Sequence, residues 1–239
     1  MEITSLNNPK VIFWNKLKVK KYRDETGLFI VESKHLVNEA LKKGKVQEIV
    51  TTERVDYPVL TYYVNDKIMQ KISLLQSPSP VLAICKHEMN DVITGNVLIL
   101  DNIQDPGNLG TIIRSAVAFN FETLIVSDNS VDIYNEKVIR SSEGMFFNLN
   151  IIRTNLLHII PKLKKNGYLV IGTDVHNAQP IQNFKKQKCA FVIGNEGQGI
   201  SNEVKGLCDD FIKIPMNSAC ESLNAAVASS IIMYEVYHE

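Results

Sequence analysis

A chain of 239 residues with 45% hydrophobic and 22% charged side chains has the make-up of a globular protein with one large core or two smaller ones, which excludes disorder as its general state. Its 26 basic and 26 acidic residues cancel, which speaks against nucleic-acid binding through bulk charge alone. No apolar run approaches the roughly 20 residues of a membrane span, and the first six residues are not those of a secretory leader; the expectation is a cytoplasmic protein with no membrane partner.

In the first third of the chain, strand-like runs at 28–31, 46–50, 61–64 and 81–84 alternate with helix-patterned segments near 9–22, 32–43 and 65–75. This predicts a small α/β domain over residues 1–88, followed by a polar linker at 86–96. The charge balance is uneven: residues 1–88 carry 14 Lys/Arg against 10 Asp/Glu, the remainder 12 against 16. The basic excess gathers at Lys10, Lys16, Lys18, Lys20, Lys21 and Arg23, interleaved with Phe13, Trp14 and Tyr22. Such a segment can follow phosphates and offer rings for stacking, with Lys18, Lys20, Lys21 and Arg23 the candidate nucleic-acid contacts. It can equally be the solvated face of an amphipathic helix.

From residue 95 to 239 strands and helices alternate. Strands are predicted at 97–100, 123–127, 149–153, 168–173, 190–194 and 211–214, and helices near 108–119, 135–145, 155–166, 201–207 and 222–237. That order predicts a second domain built on a mostly parallel sheet covered on both faces. The four cysteines are widely spaced, with no Cys-x-x-Cys pair, and the five histidines are scattered. Free buried or half-buried thiols and no metal site are the expectation.

Three polar-glycine clusters follow three of these strands: 102–114, 193–201 and 214–226. In an open α/β sheet, loops at the carboxyl ends of strands hold the ligand. In the first, Asn108 stands where a helix N-cap would, and Arg114 two turns later interrupts an otherwise apolar segment. The second, Gly194-Asn195-Glu196-Gly197-Gln198-Gly199, has the wrong spacing for a dinucleotide fingerprint and lacks the Lys-Ser/Thr of a phosphate loop. Its glycines imply a tight turn or close backbone approach to a ligand. In the third, Ser222 and Asn224 open the last helix, and capping alone would explain Ser222.

Together the clusters resemble the three motifs of the SpoU–TrmH family of RNA ribose 2′-O-methyltransferases, within the SPOUT superfamily. Asp105-Pro106-Gly107-Asn108-Leu109-Gly110 through Arg114 resembles the first motif. Gly194-Asn195-Glu196-Gly197 with Gly199 resembles the second, and Ile214-Pro215-Met216 with Ser222-Leu223-Asn224 the third. The resemblance covers 95–239 closely. The N-terminal unit is similar, more loosely, to the family's substrate-binding domain with its ribosomal-protein-L30-like fold.

The resemblance implies an α/β fold: a SPOUT-type parallel sheet with a C-terminal deep trefoil knot, and a small N-terminal α/β domain. It implies S-adenosylmethionine as methyl donor, held by Thr173, Gly194, Ile214 and Leu223. Arg114 is implied as the central catalytic residue, with Asn108, Glu196, Ser222 and Asn224 orienting it or the ribose. An arginine is a poor proton acceptor, so Arg114 is read as orienting the 2′-hydroxyl and its neighbouring phosphate; the base role stays open, as does the question of which subunit's site it serves. The implied partners are structured RNA, rRNA favoured over tRNA, and a second copy of the chain. The alternative is a non-catalytic RNA-binding protein that keeps the fold; such a protein is expected to lose Arg114 or Asn224, and this chain retains both.

Overall fold

The computed structural model describes residues 1–87, 92–174, 178–184 and 188–237. The chain forms two units: Met1–Glu88 with Tyr134–Phe147, and Met89–Ile133 with Asn148–Glu239. The linker expected at 86–96 falls partly on residues outside those described.

In chain order the first unit carries β1 (Glu2–Ile3), α1 (Pro9–Lys16), α2 (Lys20–Thr26), β2 (Leu28–Glu32) and α3 (Lys34–Lys42). Then come β3 (Val46–Thr51), β4 (Leu60–Val64), α4 (Asp66–Ile72) and β5 (Val81–Lys86). The five strands form a mixed sheet in the order β1-β4-β3-β5-β2, with β5 antiparallel to both its neighbours. Val11, Trp14, Leu17, Ile30, Ile68, Ile72 and Leu82 fill its core.

The single helix expected over 9–22 is two. Arg23 is buried, and its guanidinium donates to the carbonyls of Leu17 (2.9 Å) and Lys18 (2.8 Å), just past the end of α1. A charged fork that satisfies those carbonyls lets the chain turn where a propensity argument would continue the helix. Trp14 is also internal: its indole N–H donates to Glu48 at 2.6 Å, and Lys10 pairs with the same carboxylate. Trp14 and Phe13 are therefore structural. Phe13 packs on the core and Lys16 sits over the ring of Tyr22.

The rest of the chain runs β6 (Asn96–Leu100), α5 (Pro106–Ala118), β7 (Phe121–Ser127), α6 (Glu136–Ser141), β8 (Asn150–Thr154) and α7 (Leu156–Lys165). It ends with β9 (Leu169–Thr173), β10 (Cys189–Ile193), α8 (Asn202–Lys205), β11 (Asp210–Ile212) and α9 (Ala225–Tyr237). Six strands make one wholly parallel sheet in the order β11-β9-β10-β6-β7-β8. Buried on both faces, β6 and β10 read as unbroken apolar runs, as central strands of parallel sheets do.

Helix α6 belongs to the first unit, although the alternation of elements assigns it to the second. Tyr134 explains the excursion: it stacks on His87 with ring centroids 3.7 Å apart and packs on Phe29. Helix α9 packs on α5, where the Ser115 and Ser230 hydroxyls meet at 2.8 Å. Ala225, Ala226 and Ser229 on its buried side permit that approach. Cys85 and Cys189 are buried and Cys208 half-buried, but Cys220 is exposed, against the expectation for all four. Burial pushes the Cys189 and Cys208 thiols up to about 11.

Candidate active site

The loop after β6 is anchored before α5 begins. Asp101 is buried; its backbone N–H donates to Ile193 O, and its carboxylate accepts the N–H of Ser201, each at 2.8 Å. One residue thus ties the ends of β6 and β10 to the start of α8. The cap of α5 is Asp105, whose carboxylate accepts the Asn108 N–H at 2.8 Å, and Pro106 takes the first helical position, where a missing N–H costs nothing. Asn108 is therefore not the N-cap. It lies within the first turn, and its amide is released for other work.

The loop after β10 closes on itself. Asn195 and Gly199 exchange two backbone hydrogen bonds (3.0 and 2.9 Å), and the Asn195 side-chain oxygen accepts the N–H groups of Gly197 and Gln198. Its amide N donates to Asn102 O at 2.9 Å, so the second loop is pinned to the first. Gly194 is obligatory here. A Cβ at that position would lie 2.1 Å from the Gly199 carbonyl carbon and 2.2 Å from the Ile200 nitrogen. Gly199 itself has φ +69, which L side chains rarely adopt.

The third loop joins through Asn224. Its side-chain oxygen caps α9 by accepting from Ala226 N (2.9 Å), so the helix starts after Asn224 and not at Ser222. The Asn224 amide donates to Asn108 Oδ1 at 3.0 Å, and Asn108 Nδ2 donates to Glu196 Oε1 at 2.7 Å. One chain of hydrogen bonds, Asn224 to Asn108 to Glu196, therefore links all three clusters across 116 residues of sequence.

Between these loops lies a cleft of about 470 Å³, within the general range of sites for small ligands. Thr173, Gly194, Glu196, Ile214, Ser222 and Leu223 all line it. The Thr173 hydroxyl donates to Val192 O, holding the tip of β9 against β10. Ser222 is exposed at the rim. Asn108 and Asn224 stand behind Glu196 and are not part of the lining. Arg114 is exposed on α5 and does not line the cleft. Among the described residues no group of three His, Cys, Asp or Glu side chains is arranged to hold a metal, and no helix is long and apolar enough to cross a membrane.

The basic candidates belong to the first unit. Lys20 pairs with Asp24, Lys21 lies 3.8 Å from Glu25, and Lys18 donates to Lys71 O at 2.6 Å. Arg23 is withdrawn as a phosphate contact, since its guanidinium is buried against backbone carbonyls. Sequence reasoning also missed Asp174, Lys205 and Glu221, three further charged residues of the cleft wall. Asp174 directly follows Thr173 and was within reach of the strand-end argument; nothing in the sequence signalled Lys205.

A family model described as SpoU rRNA Methylase family matches residues 95–234, and one described as MRM3-like substrate binding domain matches residues 8–83. The chain is 34% identical over 244 aligned residues, 98% of each chain, to the 23S rRNA (guanosine(2553)-2′-O)-methyltransferase RlmP of Bacillus subtilis. It is 36% identical over 211 residues to a Staphylococcus aureus protein called a putative TrmH family tRNA/rRNA methyltransferase, covering 86% of this chain and 84% of that one. Among solved structures, the AdoMet-bound rRNA methyltransferase from Sinorhizobium meliloti superposes with a TM-score of 0.87 at 29% identity, covering 99% of this chain and 97% of the other. The SpoU methyltransferase AviRb from Streptomyces viridochromogenes, in complex with AdoMet, superposes with a TM-score of 0.86 at 26% identity, covering 97% of each.

Proposed function

The chain belongs to the SpoU rRNA methylase family, and on that premise we propose that the cleft between its three loops is the site of ribose 2′-O-methylation. The protein is an S-adenosylmethionine-dependent RNA methyltransferase that methylates the 2′-hydroxyl of a ribose in rRNA. The observation that carries the assignment of the site is the Asn224–Asn108–Glu196 hydrogen-bond chain, which ties all three motifs around one cavity.

The cleft fits the donor. Its apolar wall, Ile214, Met216 and Leu223, suits an adenine ring, the Gly194 to Gly199 loop brings bare backbone close, and Glu196 offers a carboxylate to a cation. Thr173, Gly194, Ile214 and Leu223 would hold the donor, which supplies an electrophilic methyl carbon. Arg114 orients the ribose hydroxyl and an adjacent phosphate through its planar fork. Asn108 and Asn224 keep the Glu196 carboxylate facing the cavity. Ser222, at the rim, contacts the ribose.

The finer parts of the reading have separate support. A C-terminal trefoil knot agrees with the strand order β11-β9-β10-β6 and with residues 214–223 and 194–199 enclosing one cleft. An L30-like substrate-binding role for residues 1–88, with Lys18, Lys20 and Lys21 reaching RNA, draws on the match of residues 8–83 to a substrate-binding model. The catalytic domain is residues 95–239. The protein works as a cytoplasmic homodimer: Val227, Tyr234 and Tyr237 leave apolar surface exposed on α9, and Arg114, outside its own cleft, would serve the partner's. The likeness to RlmP supports 23S rRNA as the substrate.

Mapping 2′-O-methyl groups in rRNA from cells with and without the gene tests this assignment. One ribose methylation that disappears on deletion and returns with the intact chain, but not with Arg114→Ala, is the expected result. An unchanged map refutes it.

A further inference from the structure

Four ionisable side chains among the described residues line the cleft, and their signs are unbalanced. Asp174, Glu196 and Glu221 contribute carboxylates and Lys205 an ammonium. Lys205 reaches Asp174 at 3.4 Å, with both side chains partly withdrawn from solvent. Asn108 grips one oxygen of Glu196 from behind the lining. Glu221, contributed by the third loop, is exposed. The described residues of the wall therefore carry three carboxylates against one ammonium.

We propose that this surplus selects ligands by charge: it favours the cationic donor over its neutral product and rejects adenine nucleotides, with Asp174 and Glu221 the specificity-determining residues and Lys205 their counterweight. The inference rests on the cleft being the donor site. S-adenosylmethionine carries a sulfonium, an ammonium and a carboxylate near neutral pH, a net charge of +1. Transfer of the methyl leaves a thioether, so S-adenosylhomocysteine is neutral. Adenosine is neutral as well, and ADP is an anion with the same adenosine half. A negative wall in a partly enclosed cavity attracts these ligands in order of charge, and the loss of one positive charge on reaction loosens the product. The same wall turns phosphates away, so phosphate recognition falls to Arg114, which lies outside the cleft.

The ratio of affinities for S-adenosylmethionine and S-adenosylhomocysteine, measured by calorimetry on the intact chain, reads the effect directly. Glu221→Gln and Asp174→Asn should each lower the donor-to-product preference by about two- to fivefold, the scale of a partly exposed charge pair. Lys205→Met should raise it by a similar factor. Adenosine affinity should stay constant in all three, which also certifies that the cleft is intact; Glu221 is exposed in its loop, so that variant has no fold to lose. Added salt should weaken the donor and leave adenosine unchanged. A ratio that does not move, or moves the same way when either sign of charge is removed, overturns the charge-selection proposal. If none of the adenosine-containing ligands binds the wild-type chain, the proposal falls together with the donor-site reading; if all bind with salt-independent affinity, only the charge selection falls.

Discussion

Glycine-to-alanine exchanges along the loop after β10 separate three physical roles within six residues. At Gly194 a methyl would sit 2.1 Å from the Gly199 carbonyl carbon, 2.2 Å from Ile200 N and 2.5 Å from Gly199 O. All three are backbone atoms, so no side-chain rotation relieves the clash. Overpacking of this kind costs about 1–3 kcal/mol. Displacing Gly199 also opens the paired bonds between Asn195 and Gly199, worth about 0.5–1.5 kcal/mol each. The loop's native geometry is thereby disfavoured by about 2–6 kcal/mol, which predicts a drop in S-adenosylmethionine affinity of about thirtyfold or more. At Gly199 the added methyl meets open space but the backbone has φ +69, a strain of about 1–2 kcal/mol, predicting roughly five- to thirtyfold weaker binding. At Gly197 the nearest atom is the Asn195 amide oxygen at 3.6 Å, an ordinary contact, and binding should stay within about twofold. Gly172→Ala is the control outside the loop. It collides with the Phe211 ring, a side chain that can move, so it should lower urea stability without singling out the donor. Calorimetric titration with urea melts on all four variants gives the ranking. Near-wild-type donor affinity in Gly194→Ala would show that the loop does not shape the site.

Arg114→Ala should keep donor affinity while methyl transfer falls about a hundredfold or more in single-turnover assays; because a lysine cannot reproduce the bidentate fork, Arg114→Lys should stay nearly as slow, and strong recovery with a shifted pH–rate profile would favour a proton-acceptor role instead. Lys18→Ala/Lys20→Ala/Lys21→Ala should weaken RNA binding and flatten its salt slope, whereas an unchanged slope assigns these residues to the solvated face. Arg23→Ala should lower urea stability by about 1–3 kcal/mol by stranding two carbonyls, and equal stability would deny it the structural role. Iodoacetamide at pH 8 should modify Cys220 first, since burial holds Cys189 and Cys208 as neutral thiols up to about 11; intact-mass counts above one adduct in the folded state would refute this. The same raised thiols keep their protons after the unfolded chain has released its own, so stability should decline as pH rises above about 9.

The strands of both units were legible because their signal is local: β-branched runs bounded by Gly, Pro and Asn carry their own period and their own ends. The site was legible as three loops, because each cluster follows a strand and strand ends in parallel sheets face one way. What stayed hidden depends on partners far away in sequence. Arg23 looked like one more surface cation; its burial against Leu17 and Lys18 is a tertiary fact that also breaks the first helix. Tyr134 sends α6 into the first unit through contacts with Phe29 and His87, which no alternation of elements encodes. Asn108 was misread as a cap because Asp105 offers the same capping chemistry three residues earlier, and only the Asn224 and Glu196 contacts tell the two apart.

That Asn108 is not the cap bears on the chemistry. A capping asparagine is occupied by its own helix, and its removal would cost about 1 kcal/mol of local stability and little else. Here Asp105 does the capping, so both ends of the Asn108 amide are available, and each is used across the cleft loops: Nδ2 on Glu196, Oδ1 on Asn224. Asn224 in turn spends its oxygen on the first N–H groups of α9. A shift of α9 relative to α5 would therefore pull Asn224 off Asn108 and loosen the carboxylate that faces the cavity. Because the exposed apolar residues Val227, Tyr234 and Tyr237 lie on that same helix, docking of a second copy against α9 would stiffen the helix that sets Glu196. Assembly of that kind would be coupled to the geometry of the cleft through these amide hydrogen bonds, with no contact between the partner and the donor required.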